Sequence, residues 1–477
     1  MAGSSPTLIS LVTLMVLGAA GCAAWEPYYR YDIARRAEPA SAGDTIDARL
    51  LLIGDAGDPN RAGEPVLDLL RKRAGELPDK TTVVFLGDNV YERGMPKVDI
   101  PDPLAEATEA AKLLLPDLIA TRKEAERCLN SQIDVVRGTQ IPAVFIPGNH
   151  DWDQFEIGGW DRILEQGKFI DAAREQGNNV WLLPAGGCPG PVSLPLGKRG
   201  MLIVLDTQWF LETSIDGKPT ADNNPTGCSY VTEEAALKGL VTQLEVARNE
   251  GRRAIVAAHH PLETMGPHGG FVEGWTHLFP LRFLRHYVPF YMEWLPLPFL
   301  GSMAVWTRQY FSPSPQDLSN GRNEHLRAIL RTAMDDAERR GAPALVYAAG
   351  HDHSLQVFRT HPGPHYAVVS GFGAASRASA VGAANNTLFA HANPLHPGFM
   401  QLDFLRSGAV RLSVIEVRDT QTIDGTEIVG GDEVFSFVLT SGRKPPVTRW
   451  QRWRNRFRRG DATSEKPAGD APPLRDN

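Results

Sequence analysis

Short apolar segments rich in β-branched residues recur along the chain, and several are separated by longer segments with helical spacing. The strand-like segments lie at 49–53, 82–86, 143–146, 201–205, 254–258 and 344–348, and the helical ones at 103–136, 232–250 and 323–340. Further strand-like segments follow at 366–370, 399–404, 410–417 and 433–439, with few helices between them. This order predicts an α/β fold, a layered sandwich of two mixed β-sheets flanked by helices.

The composition is that of a folded protein rich in loops. Hydrophobic residues make up 42% and charged residues 22% of the 477 positions, and 45 glycines and 36 prolines indicate many turns. We expect one main domain at 48–440, interrupted by an aromatic-rich insertion at 265–320. Residues 1–21 would precede it as a signal peptide, 22–47 as a tether, and 441–477 would follow as a basic and disordered tail.

The net charge of −7 hides a local asymmetry. Residues 443–459 hold eight basic residues and no acidic one, so the rest of the chain sums to −7 − 8 = −15. Such an acidic body disfavours general binding to nucleic acid, and no nucleic-acid partner is expected. The tail interleaves arginines with Trp450, Trp453 and Phe457, a pattern typical of an interfacial helix on an anionic membrane. A frayed tail, or one folded back onto the acidic body, is the alternative.

The amino terminus resembles an export signal. The first 21 residues carry no charge, and residues 8–21 form an apolar or small-residue run of 14, shorter than the roughly 18–20 residues that cross a bilayer. The run ends Ala19-Ala20-Gly21-Cys22, which resembles a bacterial lipobox and predicts lipidation of Cys22. Ala23 follows instead of Asp, so the resemblance implies an outer-membrane protein facing the periplasm. Because no Lys or Arg precedes the run, an ordinary secretory signal, an uncleaved anchor and a misassigned start are the alternatives.

Three cysteines remain beyond Cys22, an odd number. Cys188 and Cys228 each follow a glycine in a turn-like context, whereas Cys128 lies in a helical stretch. An exported protein meets conditions that permit disulfides, so we expect a Cys188–Cys228 bridge. Three free thiols are the alternative.

Five of the strand-like segments end in residues that can bind metals. The turns read GDAG at 54–57, GDNVY at 87–91, PGNHD at 147–151, HHP at 259–261 and GHDH at 350–353. Residues at the carboxyl ends of buried strands converge in one crevice, and glycine permits the close backbone approach that follows such strands. A mixture of oxygen and imidazole donors suits Fe, Mn or Zn. Each motif alone is weak evidence, and their number and order are the stronger signal.

This order resembles the calcineurin-like metallophosphoesterases, and more closely their purple acid phosphatase branch. The blocks of that branch read GDxG, GDxxY, GNH(D/E), VxxH and GHxH, and the fourth stands here at residues 256–259. The resemblance covers about residues 50–375. It implies a hydrolase of phosphate esters that uses two metal ions and favours monoesters, with a small phosphate ester as its partner.

The resemblance also implies a set of ligands. Asp55, Tyr91 and His353 would bind one metal, Asn149, His259 and His351 the second, and Asp88 would bridge the two. Most metallophosphoesterases carry a histidine where Gly57 stands, and Tyr91 would supply the missing donor. Since tyrosinate favours ferric iron, Fe(III) with a divalent Fe, Zn or Mn is implied. A Tyr91 that only packs beside the site is the alternative.

Three further residues are candidates for catalysis. His150 would stabilise phosphate charge or protonate the leaving oxygen, and Asp151 would orient its ring. His268, nine residues after His259, would contact the phosphate. His260 would lie either beside the metals or on the surface, and Asp352 would point away from them.

Other functions remain open at this point. A phosphodiesterase or nucleotide pyrophosphatase would use the same metals, and a non-catalytic, lipid-anchored metal-binding protein would keep them for structure. The 265–320 insertion would form a substrate-selecting lid, a membrane-facing surface, or a small packed core of its own.

Overall fold

A computed structural model describes residues 26–30, 44–98, 109–212, 218–272, 274–281, 289–423 and 426–439. The chain divides into two units, residues 1–439 and 440–477, and every described element belongs to the first. The predictions for the signal peptide, for Cys22 and for the basic tail at 441–477 lie outside the described residues.

Strands and helices alternate through the first two thirds of the chain, and strands dominate the last third. The described strands are β1 (Tyr28–Tyr29), β2 (Ile46–Ile53), β3 (Thr81–Phe85), β4 (Ala143–Phe145), β5 (Val180–Leu182), β6 (Val192–Leu196), β7 (Gly200–Val204), β8 (Arg253–Ala257), β9 (Ala344–Ala349), β10 (Leu355–Arg359), β11 (Tyr366–Ser370), β12 (Thr387–His391), β13 (Gly398–Leu405), β14 (Val410–Ile423) and β15 (Thr426–Leu439). The described helices are α1 (Pro65–Gly75), α2 (Glu109–Ile133), α3 (Gly159–Glu175), α4 (Thr207–Leu211), α5 (Glu233–Asn249), α6 (Gly274–Leu278), α7 (Phe290–Glu293), α8 (Pro298–Phe311) and α9 (Gly321–Arg339).

The strands form two mixed sheets. One has the order β15-β14-β13-β2-β3-β4-β5, and the other has the order β1-β12-β10-β11-β9-β8-β7-β6. The strands that carry the metal-binding motifs run parallel within each sheet, β2 with β3 and β4, and β8 with β9. The predicted α/β sandwich of two mixed sheets flanked by helices is confirmed.

Strand β2 shows why its apolar run is continuous. Leu50 and Leu52 belong to the cluster shared by both sheets, whereas Leu51 and Ile53 belong to a second cluster that includes residues of α1, α2 and α3. Successive side chains of a strand point to opposite faces, so a strand covered on both faces needs apolar residues at every position. A third cluster packs the other sheet against α5 and α9.

Several elements were absent from the sequence prediction. Helices α1 and α3 and strands β5, β6, β10 and β12 lie in segments that the apolar pattern did not single out. By contrast, α5 and α9 lie within one or two residues of their predicted bounds. Thr232 caps α5 by accepting a hydrogen bond from the backbone nitrogen of Ala235, and Asn320 does the same for Arg322 in α9.

The predicted Cys188–Cys228 disulfide is present, and Cys128 is buried as a free thiol. The 265–320 insertion contains the short helices α6, α7 and α8. None of the described helices combines the length and the apolar character needed to span a membrane.

Candidate metal centre

The five motif turns meet where the parallel strands of the two sheets end. Asp55, Asp88 and Asn149 follow β2, β3 and β4, while His259 follows β8 and the 351–353 turn follows β9. Asp55 and Asp88 are each 1% exposed, and His259 is fully buried. Buried carboxylates and imidazoles from both sheets therefore face one another in a single crevice, as the strand-end arrangement predicts.

The backbone of these turns is held in an unusual conformation. Asp55, Asp88 and His351 have φ angles of 60°, 53° and 74°, in the left-handed region that side chains other than glycine seldom adopt. A Cβ atom added at Gly148 would lie 2.3 Å from the backbone nitrogen of Asp88, so only glycine permits this approach of the two turns. Backbone strain of this kind persists where the surrounding structure enforces a functional geometry.

The first donor set is formed by Asp55, Asp88, Tyr91 and His353. The Tyr91 hydroxyl lies 3.0 Å from Asp55 Oδ1, 3.0 Å from Asp88 Oδ2 and 3.1 Å from His353 Nε2. His353 Nε2 lies 3.4 Å from Asp55 Oδ1. The structure thus brings together all four residues that the resemblance assigns to one metal and its bridge.

Gly57 explains why the hydroxyl of Tyr91 lies in this set. A Cβ atom at Gly57 would lie 2.5 Å from the carbonyl oxygen of Asp88, which leaves no room for a side chain. A histidine at this position would need the neighbouring turn to move, whereas the Tyr91 hydroxyl already contacts Asp55 and Asp88.

The second donor set is formed by Asn149, His259 and His351. Asn149 Oδ1 lies 2.9 Å from His259 Nε2 and 3.0 Å from His351 Nδ1, and the two ring nitrogens are 3.2 Å apart. Asp88 Oδ1 is 3.4 Å from His259 Nε2, so the two carboxylate oxygens of Asp88 face one donor set each. That is the geometry a bridging carboxylate requires.

The far nitrogen of each of the three imidazoles faces a backbone carbonyl. His259 Nδ1 lies 2.8 Å from the oxygen of Leu86, His351 Nε2 lies 3.0 Å from that of Gln316, and His353 Nδ1 lies 2.7 Å from that of Arg377. These contacts fix the rings. A carbonyl only accepts, so these nitrogens carry the protons and the opposite nitrogens present lone pairs to the crevice. This orientation is typical of metal-binding histidines.

The electrostatics of the crevice favour bound positive charge. Burial lowers the pKa of His259, but the negative charge of Asp88 outweighs it and raises the pKa to about 9, so that without a metal ion a proton takes the position of the cation at Nε2. Burial and the neighbouring histidines hold the pKa of His351 well below its usual range. Imidazole nitrogens and carboxylates that face one another favour a cation between them, and the residues fit two metal ions.

Tyr91 has two opposing electrostatic influences. Burial and the carboxylates of Asp55 and Asp88 raise the pKa of its phenol well above the usual value, while Arg377 lowers it. The Arg377 guanidinium lies 3.8 Å above the centre of the Tyr91 ring. A cation bound by the two carboxylates would oppose the first influence, because it cancels their charge.

His150 lies at the rim of the crevice with one ring nitrogen directed inward. Its Nδ1 lies 2.6 Å from the carbonyl oxygen of Glu92, and its Nε2 lies 3.8 Å from Asp88 Oδ2. This contact holds the ring and leaves Nε2 to face a substrate. The Gln154 amide nitrogen lies 2.8 Å from the same Nδ1 and 3.3 Å from the same carbonyl oxygen.

The predicted role of Asp151 in orienting His150 is wrong. The Asp151 carboxylate instead accepts hydrogen bonds from the backbone nitrogens of Gly148, Asn89 and Val90, at 2.8 to 3.2 Å. Burial and the charge of Asp88 raise the pKa of Asp151 to about 7. The Asp151 carboxylate therefore links the turn at 147–151 to the turn at 87–91, and the Glu92 carbonyl holds the His150 ring.

His268 reaches the crevice from the insertion. Its ring centre is 4.0 Å from that of His351, and its Nδ1 lies 2.7 Å from Asp317 Oδ1. Asp317 also pairs with Arg308 at 3.0 Å. Although burial opposes it, hydrogen bonds from these two partners lower the pKa of Asp317, so the carboxylate stays charged and positions the His268 ring.

His260 and Asp352, which also lie in the motif turns, are both held by hydrogen bonds. His260 is buried rather than on the surface, with Nδ1 2.9 Å from the Thr207 hydroxyl and Nε2 2.7 Å from the Gln316 side chain. Asp352 points away from the donor sets, as predicted, and accepts from the Thr264 hydroxyl and, at 3.3 Å, from the backbone nitrogen of His268. It therefore helps to fix the turn that carries His268.

A cavity of about 650 Å³ opens over the crevice. Its polar end is lined by Asp88, Asn149, His150, His268, His351 and His353, and its other walls include Met303, Ala304, Thr307 and Arg308 together with residues 312–314, 316 and 317. This volume accommodates a small substrate whose anionic group reaches the donor sets.

Sequence reasoning missed several residues of the site. Gln316, Asp317 and Arg308 lie in the insertion, and Arg377 and Glu92 lie beside motif turns. No spacing or motif marks any of them. Gln316, Arg377 and Glu92 act through their backbone carbonyls, which a sequence pattern does not reveal.

A two-sheet sandwich with this donor set at its strand ends defines a metal-dependent hydrolase of phosphoesters. The sequence signature of the calcineurin-like phosphoesterases matches residues 48–287, about half of the chain, and the chain belongs to this family. Two of the seven predicted ligands, His351 and His353, lie beyond the matched segment, and the fold brings them to the other five.

Similarity to solved structures is distant. The anchor protein GAP50 of the inner membrane complex of Plasmodium is 16% identical, with 84% of this chain and 90% of that chain covered and a TM-score of 0.45. A dimetal phosphatase from Danio rerio is 11% identical, with 83% and 100% covered and a TM-score of 0.36. No curated protein matches the sequence.

Proposed function

We propose that this protein is a phosphomonoesterase of the purple acid phosphatase type. The observation that carries the proposal is the inward set of lone pairs, three imidazoles each held from behind by a backbone carbonyl and facing buried carboxylates. Such a set serves cations rather than packing. The tyrosine hydroxyl at 3.0 Å from both Asp55 and Asp88 supports the assignment to this branch.

The chain's own residues suit the phosphoryl end of the reaction. Two bound metal ions would supply the Lewis acidity that activates a water and neutralises charge on the phosphate. His268, with its Nδ1 held by Asp317, directs its ring into the cavity, where it would bind a phosphate oxygen. His150, with its Nδ1 held beside the Glu92 carbonyl, offers Nε2 for moving a proton to the leaving oxygen.

The reaction type is tested with a matched pair of chromogenic substrates. After loading with iron, manganese or zinc, the protein should hydrolyse para-nitrophenyl phosphate much faster than bis-para-nitrophenyl phosphate. A faster diester reaction would assign the protein to the phosphodiesterases or nucleotide pyrophosphatases. No turnover of either ester with any of the metals would contradict the hydrolase function and favour a non-catalytic metal-binding protein.

The metal pair is proposed to be Fe(III) with a divalent Fe, Zn or Mn. Tyrosinate is a hard anionic ligand, and the Arg377 guanidinium over the ring favours the anionic form. The iron-loaded protein should be coloured by a tyrosinate charge-transfer band. Tyr91→Phe should remove the visible absorbance while the circular dichroism spectrum stays unchanged. A colourless, fully active and iron-loaded wild type would show that Tyr91 only packs beside the site.

The cellular location is proposed to be the outer membrane, through a lipid on Cys22, with the domain facing the periplasm. The lipobox-like sequence at 19–22 supports this location. Cys22→Ser should move the protein from the membrane fraction to the soluble fraction, and Cys128→Ser, which replaces a buried thiol, is the control. If a radioactive fatty acid labels neither the wild type nor the control, the lipidation proposal fails.

A further inference from the structure

Helix α8 presents large apolar side chains to solvent. Phe299, Met303, Trp306 and Tyr310 follow one another at intervals of four, three and four residues, so they share one face of the helix. They are 91%, 59%, 54% and 55% exposed. A helix packed on a domain normally turns such a face toward the core, and α8 does the opposite.

The opposite face of α8 is well packed. Gly301 and Val305 are buried, and a Cβ atom at Gly301 would lie 2.2 Å from the carbonyl oxygen of His277 in α6. The backbone nitrogen of Leu297 donates to the carbonyl oxygen of Leu278 at 2.7 Å. These close contacts fix the direction of α8, and the apolar stripe is therefore held outward by the fold itself.

The same helix forms a wall of the catalytic cavity. Met303, Ala304, Thr307 and Arg308 line it, so Met303 belongs both to the cavity and to the exposed stripe. Arg308 is further tied through Asp317 to the His268 ring. The apolar surface outside is thus continuous, through Met303, with the wall of the cavity that contains the donor sets.

The stripe carries no negative charge, because residues 298–311 contain no acidic residue. Exposed aromatic rings of this kind are typical of protein faces at a lipid–water interface. A hydrocarbon chain complements the stripe, and a phosphate head complements the cavity.

We propose that the substrate is a phosphate monoester of a long-chain lipid, taken from a membrane surface on which the exposed stripe of α8 rests. The proposal rests on the phosphomonoesterase function. In the reaction a water oxygen bonds to phosphorus, the bond from phosphorus to the lipid oxygen breaks, and that oxygen takes up a proton. The products are the lipid alcohol, which stays in the membrane, and inorganic phosphate.

The test compares two substrates with the same head group. Dioleoyl phosphatidic acid in phosphatidylcholine vesicles offers a long-chain ester at an interface, and dihexanoyl phosphatidic acid offers the same phosphate in solution. All proteins are full-length and carry Cys22→Ser, so that no lipid anchor contributes. The double change Phe299→Ser with Trp306→Ser should lower dioleoyl turnover by about tenfold and weaken vesicle binding, because binding scales with the apolar area buried in the interface. Dihexanoyl turnover should stay unchanged, since neither residue lines the cavity.

Leu395→Ser provides the matched control. Leu395 is 76% exposed in the loop between β12 and β13. The substitution therefore removes an exposed apolar side chain away from α8, and the turnover of both esters should stay unchanged. Equal wild-type turnover of the two esters, or a double variant that acts on vesicles like the wild type, would overturn the proposal and leave a protein partner as the occupant of the stripe. Failure of the underlying hydrolase function would show differently, as no turnover of either ester or of para-nitrophenyl phosphate.

Discussion

Replacing Asp88 with alanine is expected to abolish phosphoester hydrolysis and to lower the bound metal well below two ions per chain. Its two carboxylate oxygens face the two donor sets, with Oδ2 3.0 Å from the Tyr91 hydroxyl and Oδ1 3.4 Å from His259 Nε2. No other described side chain faces both sets in this way. Loss of a shared ligand weakens both cation sites at once, so the effect should exceed that of removing any ligand of a single metal.

Asp88 also supports the neighbouring turn, so the experiment needs a control for folding. Its Oδ1 accepts a hydrogen bond from the backbone nitrogen of His150 at 2.9 Å, and Asp88→Asn keeps an oxygen for that contact while it removes the charge. Asp88→Asn should therefore keep the thermal stability of the wild type and still lose metal and activity. Metal content by elemental analysis and turnover of para-nitrophenyl phosphate are measured on both variants.

Asp206→Asn is a matched change of a buried carboxylate outside the donor sets. Asp206 is fully buried, its oxygens contact Trp152 Nε1 at 2.9 Å and the Trp209 backbone nitrogen at 3.1 Å, and burial raises its pKa to about 7. Because its hydrogen bonds reach Trp152 and Trp209 and not the donor sets, metal content should stay near that of the wild type. An Asp88→Ala variant with two metals per chain and normal turnover would contradict the bridging assignment.

The donor sets could be predicted from the sequence because their residues lie in turns that follow strands. In Leu50 to Ile53 every position is apolar, which marks a strand buried on both faces, and Asp55 comes where that strand ends. Parallel neighbours bring their carboxyl ends to one edge. Short sequence motifs therefore predicted contacts between residues far apart in the chain, because the sheet places the ends of its parallel strands side by side.

The residues that hold the donors in place could not be predicted in the same way. His268 and Asp317 are 49 positions apart and meet through the path of the insertion between them, which no local pattern specifies. The carbonyls of Leu86 and Gln316 orient histidines with atoms that every residue possesses. Side-chain identity says nothing about such contacts.

For Asp151 the sequence prediction was wrong because it assumed that residues adjacent in sequence are in contact. Asp151 follows His150 directly, yet consecutive residues of a tight turn point apart. Its carboxylate accepts from the backbone nitrogen of Gly148 in its own turn and from those of Asn89 and Val90 in another motif turn. The nearest acceptor for the His150 ring is the Glu92 carbonyl, 58 positions earlier. Buried carboxylates satisfy the donors nearest in space, and sequence neighbours have no priority.

His150→Ala is expected to lower turnover by roughly two to four orders of magnitude, the usual range for general acid–base assistance, with metal content unchanged. The ring is not in either donor set, since its Nε2 lies 3.8 Å from Asp88 Oδ2, and its Nδ1 is fixed by the Glu92 carbonyl. Removing it should therefore spare the metals and remove the proton donor. His325→Ala, which changes an exposed histidine paired with Glu233 at 3.1 Å, is the control.

The leaving group distinguishes proton transfer from charge stabilisation as the role of His150. An alkyl phosphate releases a strongly basic alkoxide that needs a proton, whereas para-nitrophenolate leaves readily without one, so a general acid matters far more for the alkyl ester. His150→Ala should thus slow the alkyl ester much more than para-nitrophenyl phosphate. Equal losses for both esters would assign His150 to charge stabilisation of the phosphate. Wild-type rates for both would exclude it from catalysis and make His268 the candidate proton donor.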